Sequence, residues 1–106
     1  MLFRSSTNGG SGYFDGSGDT LSITNNSALQ WGTGDFCVEC WVYPTQVSTA
    51  MNIVGIGTNN TGTFDLEVYG GKIWFFTNTT VFTSTASIPI SAWTHVAVSR
   101  SGTNLY

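Results

Sequence analysis

The chain has 106 residues, a formal charge of −3 and 41% hydrophobic side chains, enough for one domain with a modest core. Its only fixed cations, Arg4, Lys72 and Arg100, are too few and too scattered to neutralise a run of phosphates, which excludes nucleic acid as a partner. The apolar stretches run to only a few residues, which excludes a membrane-spanning helix.

Charged residues make up 8% of the chain, about a third of the usual share. Solubility therefore rests on neutral polar groups: Thr, Ser, Asn and Gly fill 49 of the 106 positions. Thr with the β-branched and aromatic residues favours strands, and Gly with Asn favours the turns between them. Disordered chains are also polar, but they lack an aromatic content of 14%. The expectation is an ordered all-β domain.

In chain order, "SGYFD" and "DTLSIT" flank "GSG" and predict an early hairpin. "NNSALQWGTGD" reads as a loop with room for one helical turn at Ser27 to Trp31. "DFCVECWVYP" is the clearest strand, closed by Pro44, and "MNIVGIG" is another, followed by the turn "TNNTG". "TFDLEVY" and "KIWFFT" are joined by Gly70-Gly71, a favoured two-residue hairpin loop. "VFTST" follows through Asn78-Thr79. "WTHVAV" then runs into the turn residues "SRSGTN", with Leu105-Tyr106 opening a return strand. Short, regularly punctuated strands with no internal repeat predict a single-domain sandwich or barrel.

The Gly70-Gly71 turn also predicts a register. It sets Tyr69 opposite Lys72, Val68 opposite Ile73, Glu67 opposite Trp74 and Leu66 opposite Phe75. Phe64, Leu66, Val68, Ile73 and Phe75 then share an apolar core face. Asp65, Glu67, Tyr69, Lys72, Trp74 and Phe76 share the other.

Cys37 and Cys40 have a CxxC spacing, but strand alternation points them to opposite faces, so neither a disulfide nor a metal is expected. His95 is the only histidine, and a zinc site would need further ligands.

The stretches "GYFDGSGDTLSI", "GTGDFCVECWVYPT" and "WTHVAVSRSGTNLY" together resemble the laminin G-like domains of the concanavalin A-like lectin/glucanase superfamily. The likeness is closest to versions in large secreted bacterial proteins and in structural proteins of marine bacteriophages. It implies a two-sheet jelly roll over residues 1–106, read as the N-terminal portion of a family domain that usually carries further strands.

The candidate chemistry is sparse. Asp15, Ser17 and Asp19 alternate in "FDGSGD" as calcium ligands often do, but the distant Glu of an EF-hand is missing. Turn chemistry is the expectation there, with calcium at Asp15 and Asp19 the alternative and no other cofactor. A glucanase needs a carboxylate pair usually built from two Glu around an Asp; Asp65-Leu66-Glu67 is one Glu short, so no enzyme is expected. Sugar binding asks only for a flat aromatic beside polar groups, and Trp74 and Tyr69 with Asp65, Glu67 and Lys72 meet that. The same aromatics also suit burial under a loop or a second subunit. Sequons at Asn25, Asn59 and Asn78 arise by chance in so Asn- and Thr-rich a chain.

No apolar h-region follows "MLFRSSTNGG", so no export signal is expected. A lectin-like surface without export fits a virion protein, a capsid decoration or tail fibre assembled in the host cytoplasm and adhering to host-surface glycans. The alternative is an extracellular carbohydrate-binding fragment of a bacterial adhesin or enzyme. The resemblance further implies a missing strand beside Trp93 to Ser99. A homo-oligomer or another virion protein would then supply it, with Leu105, Tyr106 and Phe76 near the contact.

Overall fold

The computed structural model describes residues 10–57, 64–77 and 81–106 together with the backbone of 2–4. The expected turn at 58–62 and the Asn78-Thr79 connection lie outside the described residues. Nine strands are described: β1 (Leu2–Arg4), β2 (Ser11–Tyr13), β3 (Phe36–Tyr43), β4 (Met51–Ile56), β5 (Phe64–Tyr69), β6 (Lys72–Thr77), β7 (Val81–Thr83), β8 (Thr94–Ser101) and β9 (Asn104–Leu105). They form a five-stranded sheet in the order β2-β1-β3-β8-β9 and a four-stranded sheet in the order β4-β5-β6-β7. All the pairings are antiparallel. Among the described residues no helix is long and apolar enough to cross a membrane.

Alternation decides what each strand buries. In β3, Val42 is fully buried and Phe36, Val38 and Cys40 pack against the core, while Cys37, Glu39 and Trp41 face outward. In β8, Val96 and Val98 go inward. The four-stranded sheet answers with Phe64, Leu66, Val68, Ile73 and Phe75, the apolar set that the sequence predicts. Each such side chain, fully buried, stabilises the fold by about 1.5–3 kcal/mol.

The β5–β6 register is the predicted one, from Tyr69↔Lys72 through Leu66↔Phe75 and on to Phe64↔Thr77. Gly70 and Gly71 both have positive φ, 59° and 74°, the left-handed pair that a two-residue hairpin requires. The closing hairpin also forms. Gly102 (φ 61°) turns the chain, Arg100 pairs with Leu105, and Ser99 and Tyr106 exchange backbone hydrogen bonds of 3.2 and 3.0 Å. The helical turn is present as a single 3-10 turn, Ser27–Leu29, whose first N–H groups are met by the Asn26 side chain bonding Ala28 N–H at 2.9 Å.

The early hairpin does not form. β2 pairs with β1 instead, and the segment 19–24 is not a strand. Its Leu21 and Ile23 alternate as a strand would, yet they are 88% and 77% exposed. Positive φ at Gly16 and Gly18 and side-chain bonds from Asp15 and Asp19 shape the "GSG" stretch into a loop that does not fold the two segments together. Alternation creates a face, but a ladder also needs a partner, and none of the described strands pairs with this segment.

Both cysteines are unbonded. Cys37 is exposed and Cys40 half-buried, and burial pushes the Cys40 thiol up to about 11, away from thiolate chemistry at neutral pH.

Candidate functional site

The outer face of β5 and β6 carries the predicted mixture of carboxylates and aromatics, with Glu67 opposite Trp74 and Asp65 opposite Phe76. The Trp74 indole N–H donates to the Tyr69 carbonyl at 3.0 Å. Its ring stacks on Phe76 (centroids 5.8 Å apart, 18° between planes) and meets Tyr69 at 5.9 Å and 59°. Trp74 and Phe76 are half-buried, whereas Tyr69 remains 45% exposed. The result is a braced aromatic row with Glu67 alongside.

Two of the predicted contributors are committed elsewhere. The Lys72 ammonium donates to the carbonyls of Ser84 (3.1 Å) and Thr85 (2.8 Å), so it ties the loop after β7 to the sheet. The same loop is stitched to β6 by the Ser84 hydroxyl, which accepts from Ile73 N–H at 3.0 Å. Asp65 is only 7% exposed, and its carboxylate accepts a hydrogen bond from the Asn52 amide on β4. Gly55, paired with Asp65, makes this close approach possible: a Cβ there would stand 2.7 Å from the carboxylate oxygen. Glu67, Tyr69 and Trp74 are left as the groups a ligand can reach.

Burial raises the pKa of Asp65, although the Asn52 bond pulls it the other way. Glu67 is raised by burial and then by the charge of Asp65. A carboxyl whose folded pKa lies above its unfolded value binds protons more tightly in the fold. Its contribution to stability therefore falls as pH rises from the unfolded pKa through the folded one. Asp65→Asn keeps an acceptor for Asn52 and removes the charge. We expect the variant to be more stable than the parent at pH 7, with the gap closing as the pH is lowered into the ordinary carboxylate range. Urea titrations across that range measure it, and a variant less stable at neutral pH would contradict the cause assigned here.

Asp15 and Asp19 serve their own loop. Ser17 N–H donates to Asp15 at 2.7 Å, and Asp15 N–H donates to Asp19 at 3.0 Å. Among the described residues no three His, Cys, Asp or Glu side chains gather closely enough to hold a metal ion. An open groove of about 930 Å³ is lined by this loop, Asp15 and Asp19 included, and by β4, an end strand of its sheet, with Asn52 and the neighbouring Asp65. Of the expected interface residues, Leu105 is half-buried against the domain's own core, Phe76 lies in the aromatic row, and Tyr106 is 66% exposed.

A sequence-family profile of laminin G type, described as the concanavalin A-like lectin/glucanases superfamily, matches residues 8–106. The chain belongs to this family. Its two antiparallel sheets are the corresponding sandwich architecture. Among curated proteins and solved structures, none matches the chain. Lectin-type domains of this laminin G-like kind are generally non-catalytic, and membership is compatible with carbohydrate binding or adhesion.

One surface of the laminin G-like domain escaped the sequence reading. Trp41, Glu39 and His95 meet on the outer face of the five-stranded sheet. Alternation in "FCVECWVY" already places Glu39 and Trp41 on one face. Only the long-range β3–β8 pairing brings His95 to them.

Proposed function

We propose that this laminin G-like domain is a non-enzymatic adhesion module that binds a glycan on the outer face of β5 and β6. Trp74 and Tyr69 supply the stacking surface and Glu67 the acceptor for hydroxyl groups. The observation that carries the reading is the bracing of Trp74 between Phe76 and the Tyr69 carbonyl. A pre-set ring loses little freedom when a ligand lands on it. A virion protein, a capsid decoration or tail fibre assembled in the host cytoplasm, is the setting we favour; an exported bacterial adhesin or enzyme is the alternative.

Assembly with a second copy or another virion protein belongs to the same proposal. Leu21 and Ile23, 88% and 77% exposed, offer such a partner apolar surface. A glycan array on the purified chain, with light scattering on the same sample, tests both parts. For a glycan found on the array, Trp74→Ala should weaken binding about tenfold or more while the fold survives. Unchanged affinity in a folded Trp74→Ala variant would rule out this face, and a stable monomer at every concentration would rule out assembly.

A further inference from the structure

The outer face of the five-stranded sheet holds a second aromatic and polar cluster that the β5–β6 platform does not use. Across β3 and β8, Trp41 pairs with His95, Glu39 with Ala97 and Cys37 with Ser99. Trp41 is 42% exposed, its ring 5.4 Å from that of His95 and tilted by 46°. His95 Nε2 lies 3.2 Å from the Glu39 carboxylate on the diagonal. Opposite Glu39 stands Ala97, small and exposed. Next along β3, Tyr43 meets Trp93 at 5.5 Å.

The chemistry of the face limits what it can hold. β3 and β8 are paired to each other over seven residue pairs, so recognition here falls to side chains. Among the described residues an anion would find little attraction, because the Lys72 and Arg100 heads are both occupied elsewhere. Lys72 is bound to the Ser84 and Thr85 carbonyls, and Arg100 to those of Gly32 and Gly34. What remains is a flat indole, one carboxylate acceptor and one imidazole, side by side on a rigid sheet. That set matches a neutral ring with an apolar C–H face and hydroxyls at its rim.

We propose that Trp41, Glu39 and His95 form a second glycan-contact site, on the outer face opposite Tyr69 and Trp74. It takes a neutral pyranose that stacks on Trp41 and bonds Glu39 and His95 through its hydroxyls. The proposal rests on the glycan-binding reading above and makes the domain two-faced. Two weak sites on opposite faces let one module bridge two glycan chains, so that binding to a dense surface exceeds the affinity of either site.

The four tryptophans give four indole N–H signals, which makes the test direct. The probes are methyl glycosides of glucose, galactose, mannose and N-acetylglucosamine, each titrated into labelled protein and followed by NMR. With at least one probe, the Trp41 indole and the His95 ring should shift together and saturate. Trp31, packed between Phe36 and Phe64, should stay still. Trp41→Ala should abolish the response at His95 and leave that of Trp74. Glu39→Gln should weaken the site about tenfold, as expected for loss of a charged hydrogen bond. Ala97→Arg, which puts a long side chain opposite Glu39 and leaves Trp41 in place, should block it too, and covers the case that Trp41→Ala does not fold. A response at Trp74 alone would overturn the second site and leave the first reading intact. Silence at both would overturn both. Shifts at Trp41 on dilution without sugar would show a second copy covering this face, and would also overturn the proposal.

Discussion

Phe75→Ala is expected to lower the unfolding free energy by about 3–5 kcal/mol, the range for removing a fully packed aromatic ring. Phe75 is 1% exposed and lies where the two sheets meet. Its ring stands 5.8 Å from Phe36 of β3 and 6.0 Å from Phe64 of β5, and Leu66 and Phe82 flank it on the neighbouring strands. The alanine variant loses the transfer free energy of the ring and leaves a void bordered by both sheets. Domains of this size have about 5–15 kcal/mol in total, so a single change of this kind removes a large share. Urea titration monitored by tryptophan fluorescence measures the loss. A shift below about 1 kcal/mol would mean that the sheets do not pack through Phe75.

The second large effect is at the turn. Gly70→Val with Gly71→Val should cost about 2–4 kcal/mol, because each position has left-handed φ and a β-branched residue pays about 1–2 kcal/mol there. Gly71 is also buried, with its carbonyl accepting from Ile88 N–H at 2.7 Å, so the turn cannot relax without disturbing the loop after β7. Gly70→Asn is the control, since Asn tolerates this conformation and should cost under about 1 kcal/mol. The consequence reaches the proposed binding face, because this turn sets the register that puts Trp74 opposite Glu67 and outside the core. A one-residue slip would exchange the two faces of β6. Glycan affinity should therefore fall together with stability in the double variant. A double variant as stable as the parent would show that the strands, and not the turn, set the register.

The all-β class, the alternation of β3 and the whole β5–β6 hairpin could be read from the residues alone. A two-residue loop leaves only one register, and alternation then sorts Phe64, Leu66, Val68, Ile73 and Phe75 from Asp65, Glu67, Tyr69 and Trp74. That information is local, so no tertiary contact is needed to recover it. Four things were decided only by the tertiary structure. Lys72 shares a face with Trp74 in sequence, yet its long side chain reaches the Ser84 and Thr85 carbonyls that the β7 connection brings near. Asp65 reads as an outward carboxylate, but Asn52 and Gly55 of β4 close over it. Leu21 and Ile23 have the pattern of a strand and lie on none, while His95 joins Trp41 and Glu39 across a pairing far apart in the chain. Alternation tells which way a side chain points. What covers it, and what it bonds, depends on strands whose pairing no local pattern encodes.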